Sequence, residues 1–146
     1  MKRNIIIGIV VVLLLIQLIR IDKTNPPVQH GMDFITITNP SVEIGTILRT
    51  SCYDCHSNEA SYPWYTNIAP VSWWIKHHIN EGREELNFSE WGKYNAKKAD
   101  HKLEECIELV QEGEMPMSSY TLMHGNAVLS ESQKQQLTKW FETLRK

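Results

Sequence analysis

Nothing in this chain constrains its fold more than Cys52-Tyr53-Asp54-Cys55-His56. Thiols three residues apart fall on one side of a helical turn. A histidine follows the second one at once. Any fold this chain adopts has to present two thiols and an imidazole together, on one wall.

Three chemistries use such a cluster. A structural zinc ion takes four ligands; the motif supplies three, and the chain holds no second Cys-x-x-Cys and no His-x-x-x-His. A thioredoxin-like dithiol belongs in a βαβ setting, whereas the pattern around this motif is helical. A plain disulfide across two residues leaves His56 without a purpose. Covalent haem uses all three side chains. The thiols reach the vinyl groups of adjacent pyrrole rings, and the histidine ligates the iron. The expectation is one haem c, held covalently by Cys52 and Cys55, with His56 as proximal iron ligand.

The N-terminus reads as a separate element. Lys2 and Arg3 precede an apolar run from Ile5 to Ile19, interrupted by Gly8 and Gln17. About 15 helical residues cover about 23 Å of an apolar layer about 30 Å thick, so Ile21 and a snorkelling Arg20 are needed to extend the reach. No small-residue cleavage site follows Arg20, which favours an uncleaved anchor over a signal peptide. The expected organisation is a transmembrane helix over 1–21, an extended linker over 22–40 and a globular domain over 41–146. Basic residues stay inside, so the expected location is the cytoplasmic (inner) membrane, single-pass, with the domain facing the periplasm. Phe34-Ile35-Thr36-Ile37-Thr38 is either a short strand or extended chain lying on the domain.

The domain itself is expected to be all-α. Ser41 can cap a helix whose Ile44, Ile47 and Leu48 share a face and which leads into Cys52. Pro70 suits a first helical turn, with Val71, Trp74, Ile75, His78 and Ile79 following at helical spacing and Gly82 at or just beyond the end. Leu103, Cys106, Ile107 and Val110 mark a third helix that stops near Gly113. Ser130 and Gln133 form a capping-box pair ahead of Leu137, Trp140, Phe141 and Leu144. Long loops remain at 57–69 and 113–129.

Around the motif, Tyr62, Trp64, Tyr65, Trp73, Trp74 and Trp91 supply an aromatic-rich middle, with Trp64 and Trp91 as candidate donors to the haem propionates. A ligating histidine usually donates its second ring N–H to a carbonyl, and the 63–70 loop offers one to His56. His78 reads as a core or haem-edge residue, His30 and His101 as exposed, and Cys106 as a small hydrophobe on an apolar helix face.

Beyond the pentapeptide, Ser57-Asn58, Tyr62-Pro63-Trp64-Tyr65, Ile68-Ala69-Pro70-Val71-Ser72-Trp73, Leu86-Asn87-Phe88-Ser89-Glu90-Trp91, Gly113-Glu114-Met115-Pro116 with Tyr120, His124, and Leu129-Ser130 through Trp140 occur in this order. Residues 41–146 thereby resemble the bacterial haem-binding domain family related to monohaem cytochrome c. The resemblance implies a cytochrome c-like small helical domain, covalent haem and a distal ligand from the loop before the last helix. In that loop Met115 stands between Gly113 and Pro116, and the proline holds it extended. Met115 is the expected distal iron ligand. Met117, where the family often has a proline or small residue, lies two residues on and is the alternative.

The expected function is electron transfer at the outer face of the membrane, without catalysis, to redox partner proteins at the membrane or in the periplasm. The alternative is a haem-based sensor or peroxidase-like enzyme with a labile sixth ligand. A net charge of -2 gives no footprint for nucleic acid.

Overall fold

The computed structural model describes residues 1–145, and every regular element among them is helical. The first helix, α1 (Lys2–Ile16), is fifteen residues long, or about 23 Å at 1.5 Å per residue. It ends there because the chain beyond it is drawn onto the body of the protein. The Gln17 side-chain amide both donates to the Ala69 carbonyl and accepts from the Ala69 N–H, each at 2.9 Å. Arg20 donates to the Asn67 carbonyl at 2.8 Å, and Trp73 Nε1 donates to the Ile19 carbonyl at 3.0 Å. Residues 18–21, which an anchor needs as the remainder of its span, are thus taken out of the helix. No helix among the described residues is long and apolar enough to cross a membrane. The expected transmembrane helix over 1–21 is therefore corrected, and with it the single-pass inner-membrane location.

The segment read as strand or extended chain is helical. A 3-10 turn over His30–Met32 leads into α2 (Phe34–Thr38). Asp33 caps α2 by accepting from the Thr36 N–H at 3.2 Å. Asn39, at φ 44°, ends it in the left-handed conformation that asparagine tolerates. The alternation of apolar and threonine residues here suggested a strand, but five residues are too few for periodicity to decide. Burial decided it: Phe34 is fully enclosed.

From Ser41 onward the helices follow their caps. Ser41 accepts from the Ile44 N–H and starts α3 (Val42–Ser51), which buries Ile44, Ile47 and Leu48. The short α4 (Tyr53–His56) continues from it after a break at Cys52. Helix α5 (Val71–Glu85) runs past Gly82 rather than ending there. Asn95 caps α6 (Ala96–Glu112), and Gly113, at φ 77°, closes it in the left-handed region. A one-turn helix, α7 (Ser118–Thr121), interrupts the loop that follows. The capping box of Ser130 and Gln133 is complete at the start of α8 (Glu131–Leu144).

Helix α6 packs along α8, while α3 packs on α8 and on α4. The core between them is strongly aromatic. Phe34 meets Phe88 at 4.9 Å, Trp91 at 4.5 Å and Trp140 at 5.5 Å between ring centroids. Phe88 in turn stacks on Tyr53 at 5.3 Å and meets the His56 ring edge-on at 6.3 Å. Through Phe88, the main core supports the histidine of the motif directly.

Candidate functional site

The two residues between the cysteines fasten the turn to the rest of the fold. Tyr53 Oη donates to Asp33 Oδ2 at 3.0 Å and accepts from the Ile35 N–H at 3.3 Å. Asp54 accepts from the Ser61 N–H at 3.0 Å and from Tyr120 Oη at 2.8 Å. Backbone bonds from the Cys55 and His56 N–H groups to the Cys52 carbonyl close the turn. Cys52, Cys55 and His56 then line one cavity.

The orientation of His56 is set by the end of α5. Its Nδ1 lies 2.8 Å from the Gly82 carbonyl and 3.2 Å from the Leu86 carbonyl. Carbonyls only accept, so Nδ1 carries the proton and Nε2 is the nitrogen with a free lone pair. Burial pulls the imidazole pKa below its ordinary value, against the opposing effect of the two carbonyls, which keeps the ring neutral and able to ligate. The acceptor expected in the 63–70 loop is therefore corrected. The Gly82 carbonyl accepts the Leu86 N–H at 2.9 Å and has a second lone pair for His56, and the Leu86 carbonyl lies just past the end of α5.

Gly82 makes this approach possible. A Cβ there would stand 3.0 Å from the Cys55 carbonyl oxygen and 3.4 Å from the carbonyl carbon. These are backbone atoms that cannot swing aside. A Gly82→Val protein should be less stable by about 1–3 kcal/mol, the usual cost of overpacking, as read from urea unfolding. An unchanged midpoint would show that α5 and α4 do not need this contact.

The cavity has a volume of about 400 Å³, inside the usual range of about 300–1,000 Å³ for small-molecule and cofactor sites. Leu86, Phe88, Leu109, Val110, Leu137 and Phe141 make its wall mostly apolar. Met115 and Met117 line it from the loop after α6. At the end of α6 the Glu114 and Met115 N–H groups bond the Leu109 carbonyl at 3.0 and 3.1 Å, and the Gly113 N–H bonds Val110 at 3.3 Å. The left-handed Gly113 permits this reversal, which brings Met115 back against α6. The Met115–Pro116 peptide is cis.

Met123 and His124 stand apart from this cavity, in the wall of a neighbouring one of about 120 Å³. His78 lines both cavities, its ring tilted 39° against Trp74 with centroids 4.1 Å apart and its Nδ1 donating to the Trp74 carbonyl at 3.0 Å. The aromatic wall read from the sequence is largely elsewhere. Trp91 is buried in the main core and Trp64 is 69% exposed; neither lines the cavity. Its aromatic residues are Phe88, Tyr120 and Phe141. Spacing alone does not find these, because they come from three separate elements.

The charges at the cavity are concentrated on one pair of helices. Lys102 donates to Glu105 at 2.7 Å and to Glu85 at 3.4 Å. These bonds, Glu105 first, raise the ammonium pKa. Cys106 lines the cavity beside the two motif cysteines, and all three thiols are free. Burial pushes Cys55 up to about 11 and Cys106 up to about 12, and Cys52 is raised further by the same cause. The thiols are thus protonated at neutral pH.

Two thiols, a neutral imidazole with one free lone pair and a thioether in an apolar enclosure are a donor set that fits haem iron and its porphyrin. No curated protein and no solved structure matches the chain. A family model, the haem-binding domain, matches residues 11–143. That match reaches from inside α1 almost to the end of α8 and takes in Phe34, the motif and Met115. The chain belongs to the haem-binding domain family.

Proposed function

We propose that this protein carries a single haem c, joined through Cys52 and Cys55, with His56 and Met115 as axial ligands, and that it acts as an electron carrier. One observation supports this above the others. Both cysteines, His56 and Met115 meet in the wall of one largely apolar cavity, although Met115 is fifty-nine positions from His56 in the chain (115 − 56).

Each residue has a task that follows from its surroundings. Cys52 and Cys55 present protonated thiols for thioether attachment. His56 offers Nε2 while Gly82 and Leu86 hold Nδ1–H, which fixes the ring and raises its basicity as a ligand. Met115 offers a neutral sulfur from a loop whose start is tied to Leu109. The bound haem supplies a one-electron ferric–ferrous couple. A histidine–methionine pair raises its potential relative to two histidines. An apolar wall disfavours the more highly charged state and works in the same direction. Partners are redox proteins that exchange one electron.

Optical spectra of the isolated protein test the reading. A pyridine haemochrome of the c type is expected, and the oxidised protein should show the weak far-red sulfur-to-iron band. Met115→Ala should abolish that band and let the reduced haem bind carbon monoxide. If the band survives in Met115→Ala and is lost in Met117→Ala, the ligand is Met117. Ready binding of carbon monoxide by the unaltered protein would favour a sensor or peroxidase-like role.

A further inference from the structure

The loop that carries Met115 is fastened at both ends, and the far fastening lands on the haem-attachment motif itself. At the near end, Glu114 and Met115 are tied to Leu109. At the far end, Tyr120 Oη lies 2.8 Å from Asp54 Oδ2 and 3.2 Å from the Thr50 carbonyl. At those distances the carboxylate receives the proton. Asp54 is one of the two residues between the cysteines, and its other oxygen is held by the Ser61 N–H at 3.0 Å. The carboxylate is therefore aimed, not free to rotate away.

The Tyr120 ring lines both cavities and stacks on His124, with centroids 4.2 Å apart and planes 27° apart. His124 Nε2 bonds the Tyr65 hydroxyl. One phenol thus joins the Met115 loop to the Cys-x-x-Cys turn and, through the stacked imidazole, to the 64–67 turn. Burial, and then the bond to Asp54, hold the Tyr120 phenol above its ordinary pKa, so it remains a donor.

We propose that the Tyr120–Asp54 hydrogen bond is a latch that holds the Met115 loop down on the attachment turn and thereby limits access of exchangeable small ligands to the iron. This rests on Met115 being an axial ligand. Tyr120 is a positioning residue; it acts through Met115. The latch also gives Asp54 a role in the motif that its position between the cysteines does not require.

Carbon monoxide binding to the reduced holoprotein, followed by stopped flow, reads the latch. Tyr120→Phe keeps the ring and removes only the hydroxyl. It should raise the observed binding rate about tenfold, the weight of one hydrogen bond to a charged acceptor, while the pyridine haemochrome stays unchanged. Asp54→Asn, which retains an acceptor oxygen, should fall between the unaltered protein and Tyr120→Phe. Asp54→Ala, which gives up the Ser61 bond as well, should be at least as fast as Tyr120→Phe, and the double variant should be no faster than Asp54→Ala. Additive effects, or an unaltered rate in Tyr120→Phe, overturn the latch. If Tyr120→Phe does not accumulate as holoprotein, the ordering of the Asp54 variants carries the same test. Met115→Ala separates the two readings. A far-red band that survives it removes Met115 as ligand. A band lost there, together with an unaltered rate in Tyr120→Phe, removes only the latch.

Discussion

A protein with both Cys52 and Cys55 replaced by alanine is expected to release all of its haem into acid–acetone, whereas the unaltered protein releases none. The two thiols stand in one cavity wall, one turn apart, on a segment anchored by Tyr53 and Asp54. In the proposed attachment each thiol would add across one vinyl group, sulfur bonding one carbon and the proton going to the other, with no net change of oxidation state. Either single variant should therefore keep one thioether and one vinyl group, and its pyridine haemochrome should move to longer wavelength. Cys106 makes the double variant more informative. It lines the same cavity, and its burial holds it protonated, up to about 12. Haem that resists extraction from the double variant would transfer an attachment point to Cys106, and a further Cys106→Ala change would then release it.

Phe34→Ala is expected to be the most destabilising single change outside the site. Phe34 is fully buried and contacts Phe88, Trp91, Trp140 and Phe141 at centroid distances of 4.5–6.3 Å. Removing a ring from such a position costs about 3–5 kcal/mol, because the lost apolar transfer is joined by a cavity that the neighbours only partly fill. A domain of ordinary stability has about 5–15 kcal/mol in all, so a large share of the fold is at stake. Urea unfolding followed by tryptophan fluorescence measures it. Val42→Ala is the control, since Val42 is 87% exposed and should change stability by less than about 0.5 kcal/mol. Equal effects from the two changes would mean that segment 30–38 is a tether and not part of the core. The loss should also reach the site, because Phe88 stands between Phe34 and the His56 ring.

Wherever a physical requirement is local, it can be read from the sequence. Ser41 and Ser130 with Gln133 cap helices through bonds spanning three residues. Gly113 ends α6 because a left-handed residue is needed there. The Cys-x-x-Cys-His spacing places its three side chains on one wall because four residues make about one helical turn. The apolar periods of α3, α6 and α8 identify the faces that Leu48, Leu103 and Leu137 bury.

Contacts between distant segments are another matter, and only the tertiary structure decided them. The reading of 1–21 as a membrane span failed because Gln17, Arg20 and the Ile19 carbonyl are claimed by Ala69, Asn67 and Trp73, about fifty residues away in sequence. The acceptor for His56 moved from the 63–70 loop to Gly82 and Leu86 for the same kind of reason: helix α5 crosses α4 at the one position without a Cβ. Trp64 and Trp91 both lie in short 3-10 helices, yet one is exposed and the other packs on Phe34. Local pattern specifies which face of an element seeks burial. Which partner covers that face, and which donor finds which carbonyl, depends on how the helices are brought together, and a hydrogen bond over fifty residues leaves no period in the chain.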